Sequence, residues 1–197
     1  MDGVARTFLG AALTAMIFVA SGASAQEHEW AHSGIRPEVF NAALAAWAHN
    51  HTKLANQRYL TIVDYGLPSD QPRLFVLDHE AGTVSAYLVA HGKGSDPNRT
   101  GRALRFSNEP GSEMSSLGAY LTGPTYQGKH GLSLRLYGLE PTNDKAAERA
   151  IVVHGAEYVA PGRKVQGRSW GCPAVEQRFA STIIGKVRGG SLLYIHG

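Results

Sequence analysis

Cysteine is almost absent: Cys172 is the only one in 197 residues. A disulfide, a thiolate zinc cluster and a C-x-x-C redox pair each need two or more cysteines, so none can be built within this chain. Long apolar runs are also missing. The run from Phe8 to Ala20 covers about 13 residues, short of the ~20 needed to cross a bilayer. Blocks of one charge are lacking too. The balance of 19 Lys+Arg against 16 Asp+Glu gives +3, and no Lys/Arg run or basic helix face argues for nucleic acid.

The first 25 residues carry Arg6, the apolar run and then Ala23-Ser24-Ala25, the order of a basic start, a hydrophobic stretch and a small-residue cleavage pattern. We read residues 1–25 as a signal peptide. No cysteine follows that could take a lipid, so export without stable membrane insertion after cleavage is expected. Loss of Asp2 and Arg6 with the leader leaves the net charge at +3, a mild excess suited to an anionic polymer. Residues 26–36 read as a short N-terminal extension and 37–197 as one domain, large enough for a core without disulfides or structural metal.

From Pro37 to about Gln57, Phe40, Ala43, Leu44, Trp47 and Leu54 recur near helical period, which predicts an amphipathic helix opened by Pro37. Short β-type runs follow at Tyr59–Tyr65, Arg73–Asp78 and Thr83–Ala90, the last two joined by His79-Glu80-Ala81-Gly82. Residues 91–131, rich in glycine and holding Pro97, Pro110 and Pro124, read as a long ordered loop of the kind that carries function. Alternation of Leu132, Leu134 and Leu136 predicts a half-buried strand, and Ala150–Val153 a buried one that ends in His154-Gly155. Val175, Phe179, Ile183 and Val187 mark a helix, ended by Gly189-Gly190 before a last strand at Ser191–Ile195. The pattern predicts an α+β domain, mainly β, with a β-sandwich or barrel-like core.

The stretch Arg168-Ser169-Trp170-Gly171-Cys172-Pro173 holds the single thiol. Pro173 suits a first helical position, which would set Cys172 at a helix N-terminus and lower its pKa. Gly171 leaves room for backbone N–H groups to face a carbonyl, as an oxyanion hole requires. His154, at a strand exit, offers a base, and the Gly155 carbonyl can hold its other ring nitrogen. The bland alternative is a buried hydrophobic Cys and a core His. A lone thiol kept in an oxidising compartment points instead to use.

His154-Gly155, thirteen residues and then Ser169-Trp170-Gly171-Cys172 resembles the signature of the murein L,D-transpeptidase family, the YkuD-like catalytic domain. The resemblance extends over about residues 37–197, including the segments SNEPGSEMSSLGAYLTGPTYQGKHGLSLRLYGLE and GRSWGCPAV. One departure is Trp170, where the commoner pattern has histidine. The resemblance implies the L,D-transpeptidase β fold, Cys172 as nucleophile, His154 as base and later acid, and Gly155 as orienter of the imidazole. It further implies an oxyanion hole of the Trp170, Gly171 and Cys172 N–H groups. Ser169 would shape the turn and bond the substrate backbone, Thr122–Gly131 would form part of the groove with Tyr126 as a lid or wall, and Lys129, His130 or Arg168 would approach substrate carboxylates. The implied partners are peptidoglycan stem peptides in the periplasm or cell wall. The implied reaction is transfer through a Cys172 thioester, giving 3-3 cross-links or related products. L,D-carboxypeptidase or endopeptidase hydrolysis of the same bonds is the alternative, and a non-catalytic wall-binding protein a further one. No metal or organic cofactor is called for.

Three histidine motifs compete for attention. His28-Glu29-Trp30-Ala31-His32 spells H-E-x-x-H, but it stands just after the leader with Gly34 and Pro37 close behind, unlike a zinc motif inside a packed helix. His49 and His51, two apart, do not share a helix face. His91-Gly92 reads as a strand-end turn lining the groove at most.

Overall fold

The structure, a computed structural model, describes residues 34–197. The stretch read as a signal peptide and the H-E-x-x-H stretch lie outside the described residues. Helix α1 spans Pro37–Asn50 and opens on Pro37, whose missing N–H would have no intrahelical partner there anyway. It buries Val39, Phe40 and Ala43 against Leu60, Ile62, Phe75, Leu77 and Leu192. The helix ends earlier than its apolar spacing suggests. The Asn50 side chain donates to the Ala46 carbonyl at 2.9 Å, and the backbone tightens into a 3₁₀ turn over His51–Lys53 before Leu54 becomes extended. His49 and His51 are exposed, as a solvated surface requires.

Nine strands form one sheet: β1 Tyr59–Asp64, β2 Leu74–Asp78, β3 Thr83–Tyr87, β4 Val89–Ala90, β5 Gly118–Gly128, β6 Gly131–Gly138, β7 Val152–Ala156, β8 Ala174–Glu176 and β9 Leu192–His196. Their order is β3-β2-β1-β9-β5-β6-β7-β8-β4. The two edge strands, β3 and β4, are one extended stretch broken only at Leu88, so the sheet rolls into a nearly closed barrel. Near-closure leaves only the short outer sides of β3 and β4 as edges, which limits pairing with other chains. The β2–β3 connection is held by Asp78, whose carboxylate accepts the N–H groups of Glu80 and Ala81. Helix α2, Gln177–Val187, buries Ala180, Ile183, Ile184 and Val187 on the other face. Ile183, Ile184 and Val187 each contribute about 1.5–3 kcal/mol when fully buried.

Three expectations are corrected. Residues 118–128 are not loop but the long strand β5, paired with β6 from Tyr120↔Gly138 to Gly128↔Gly131. Its register shifts between Thr122 and Thr125, and Gly123-Pro124 occupies that irregularity, the place where a ladder tolerates proline. His154 and Gly155 lie within β7 rather than past its end. Cys172 is not at a helix N-terminus, because Ala174 and Val175 pair with β4 on one side and β7 on the other, and α2 begins only at Gln177.

Candidate active site

The β7 backbone carries the imidazole. His154 pairs with Ser133 of β6 on one side and, in the parallel pair, with Ala174 of β8 on the other, two residues past the thiol. Register alone therefore brings His154 and Cys172 to one place. His154 Nδ1 is 2.9 Å from the Gly155 carbonyl oxygen. A carbonyl only accepts, so Nδ1 carries the proton and Nε2 the lone pair of the neutral ring. Burial pushes the His154 pKa below its ordinary value; the Gly155 carbonyl opposes this, while His130 and Lys129 add to it. A Cβ on Gly155 would stand 2.6 Å from Gln177 Oε1 and 3.0 Å from the Ala180 Cβ of α2, so the Gln177 side chain would have to move to admit one.

The thiol sits on a turn that its neighbours define. Gly171 has φ +118°, and a Cβ on it would stand 2.7 Å from the Met114 carbonyl oxygen. Only glycine fits. Ser169 Oγ accepts the Gly171 N–H at 3.1 Å and donates to the Cys172 carbonyl at 2.6 Å, closing the turn on itself. One of the three expected oxyanion donors, the Gly171 N–H, is thereby already engaged. The half-buried Cys172 thiol donates weakly to the Ala150 carbonyl, with S···O at 3.8 Å. Burial raises its pKa; the Val152 N–H and the charges of Arg149 and Lys129 oppose that rise without cancelling it. The expected lowering by a helix terminus is absent, since no helix starts there.

A cavity of about 340 Å³ opens beside these two groups, lined in part by Tyr126, Lys129, His130, Arg149, Arg168 and Trp170. Lys129 and His130 form the two-residue turn between β5 and β6, and the His130 ring stacks on His154 with centroids 4.3 Å apart. The Tyr126 ring is covered by the Arg135 guanidinium at 4.6 Å. Arg168 reaches the cavity, but its Nη1 donates to the Asp96 and Lys93 carbonyls. Trp170 is 69% exposed at the mouth. Of the residues expected to serve catalysis, the oxyanion hole or substrate contact, all but Gly155 and Gly171 line this one cavity, whereas of the expected groove segment Thr122–Gly131 only Tyr126, Lys129 and His130 do.

Sequence reasoning missed the support behind the turn. Arg149 donates to the Ser107 carbonyl and Ser116 Oγ through Nη1 and to the Met114 carbonyl through Nη2, fastening the 107–116 loop beside the thiol. Ser115 Oγ accepts the Gly92 N–H and donates to the Gly171 carbonyl. Residues 91–93 run alongside Ser169, whose N–H donates to the His91 carbonyl and whose carbonyl accepts the Lys93 N–H. His91 does not line the groove; it is buried. Arg73 Nη2 lies 2.7 Å from His91 Nδ1, and since a guanidinium only donates, the His91 proton sits on Nε2, 3.5 Å from Asp96 Oδ2. The HG dipeptide at 91–92 was the available signal. Nothing in the sequence alone marked Arg149 or Ser115. Among the described residues no group of three or more His, Cys, Asp or Glu is placed to hold a metal ion.

A family model described as the L,D-transpeptidase catalytic domain matches residues 31–196. No curated protein matches the chain. Among solved structures, an L,D-transpeptidase from Mycobacterium smegmatis is 12% identical over 71% of this chain and 59% of its own, with a TM-score of 0.46. An L,D-transpeptidase from Mycobacterium tuberculosis H37Rv is 12% identical over 71% of this chain and 58% of its own, with a TM-score of 0.47. The helical cell shape determining protein Pgp2 from Campylobacter jejuni, as a K307A mutant, is 14% identical over 82% of this chain and 57% of its own, with a TM-score of 0.46. The chain spans less than two thirds of the length of each.

Proposed function

The chain belongs to the L,D-transpeptidase catalytic domain family, and from that premise we propose that it is an exported cysteine acyltransferase acting on peptidoglycan stem peptides. One observation carries the reading: a single cavity holds the lone thiol and an imidazole whose protonated nitrogen is fixed on the Gly155 carbonyl. Neutral His154 takes the Cys172 proton as sulfur attacks the carbonyl carbon of the third stem residue. The N–H groups of Trp170 and Cys172 are the proposed oxyanion donors, with Gly171 N–H bracing the turn through Ser169. Collapse breaks the C–N bond, His154 returns the proton to the departing amine of the terminal residue, and a thioester remains. An acceptor amine then attacks the thioester, its proton passes to His154, and the C–S bond breaks to regenerate the thiol. Tyr126, Lys129, His130 and Arg168 are the proposed substrate contacts.

Purified protein incubated with defined muropeptides should yield cross-linked products, each formed with loss of one terminal residue, and Cys172→Ala should yield none while keeping its fold. Mass spectrometry of products and of the intact protein checks this. Tripeptide without cross-links would assign water as the second substrate, and the absence of both products and thioester adduct would overturn the reading.

A further inference from the structure

Among the described residues the cavity wall carries three basic side chains, Lys129, Arg149 and Arg168, and no carboxylate. Among the described residues none of the three is in an ion pair, whereas neighbouring Lys93 is neutralised by Glu113 at 2.7 Å. Arg149 and Arg168 spend their N–H groups on main-chain carbonyls and hydroxyls, which satisfy hydrogen bonds without cancelling charge. Lys129 differs. It stands exposed on the β5–β6 turn with its ammonium 5.6 Å from the centre of the Trp170 ring, and Lys93 lies 5.4 Å from the same ring. Two ammonium groups on one indole repel each other, and only one has an acidic partner. Uncompensated positive charge at the mouth of a reaction cavity is stabilised when the occupant brings negative charge.

We infer that the site selects peptides with a free carboxylate within one residue of the attacked carbonyl, and that Lys129, steadied by the Trp170 indole, is the side chain that reads it. The inference rests on the stem-peptide reading and adds a chemical criterion to it: a carboxamide at that place is refused. An amide is nearly isosteric with a carboxylate, so shape cannot distinguish the two. Charge can, because the Lys129 ammonium meets a full negative charge in the acid and only a dipole in the amide. Trp170, where histidine is commoner, contributes a π face that a lysine can lie against and that does not titrate.

The test is calorimetric binding to the Cys172→Ala chain with three tetrapeptides: one with both the third-residue side-chain carboxylate and the terminal carboxylate free, one amidated at the former, one at the latter. The free acid should bind about two- to fivefold more tightly than at least one amide, and which amide fails identifies the carboxylate that is read. Lys129→Gln, on an exposed turn, should erase the gap, and raising salt to about 0.5 M should shrink it. Affinities alike for all three peptides, or a gap untouched by Lys129→Gln, would overturn the inference. Preferential binding of the acid without turnover by the wild-type chain would sink acyl transfer and leave this inference standing; turnover without preference would do the reverse. No binding of any peptide would overturn both.

Discussion

Burial raises the Cys172 thiol above its ordinary value and lowers His154 below its own, and both shifts disfavour a thiolate–imidazolium pair. In the proposed reaction, proton transfer to His154 therefore accompanies attack by sulfur on the carbonyl. Two consequences are measurable. Iodoacetamide should alkylate Cys172 at pH 7 more slowly than it alkylates an unstructured thiol peptide, and faster alkylation would show a stored thiolate. Turnover should fall on the acid side as His154 takes up a proton, and His154→Ala should cost about 10²–10⁴ in rate. Replacing His91, which is hydrogen-bonded to Arg73 outside the cavity, should not reproduce that loss.

The β5–β6 hairpin delivers Lys129 and His130 to the cavity, and its shape depends on Gly131, which has φ +73°. A Cβ there meets nothing within 4 Å, so the cost of Gly131→Ala is backbone conformation alone. That cost is about 1 kcal/mol, which lowers Tm by roughly 2–4 °C in a domain of this size. Thermal unfolding of the variant checks it; a larger fall would mean that the turn is packed, which the geometry denies. Legibility in the sequence divides along the same lines. Strands with clear alternation or buried runs, such as β1, β2 and β6, were readable, as was the pairing of His154-Gly155 with Ser169–Cys172. Strand β5 was hidden because Gly123-Pro124 looks like a loop and is a bulge inside a ladder. Strand β8 was hidden because three residues carry no period, and Pro173 gave a helix-start signal that the pairing of Ala174 and Val175 overrides. Arg149 and Ser115 act through main-chain carbonyls and amides brought together only by the fold.

At the scale of the molecule, a barrel that buries neutral imidazoles has a stability tied to acid. His79, His91 and His154, each wholly or partly buried, all have pKa values below the ordinary histidine value, in each case with burial as the largest cause. For a group whose folded pKa is depressed, the unfolded chain binds the proton more readily, so stability is complete above the unfolded pKa and drains away as pH falls toward the folded one. His91 is the extreme case: it is pushed down to about 4, because a protonated ring would be buried against the Arg73 guanidinium. Between about pH 6.5 and pH 4 this residue alone should remove on the order of 3 kcal/mol. Asp78, held at about 2 by the Arg58 guanidinium, begins to contribute its own loss only as the pH falls below its unfolded value. The first acid limb therefore belongs to the histidines. His91→Asn, whose side-chain oxygen can accept from Arg73 where Nδ1 does and which cannot protonate, should start from a lower Tm at pH 7 and then lose less of it on acidification. Tm measured from pH 7 to pH 4 for both proteins decides the matter: parallel curves would show that His91 is not the group that drains the fold of stability.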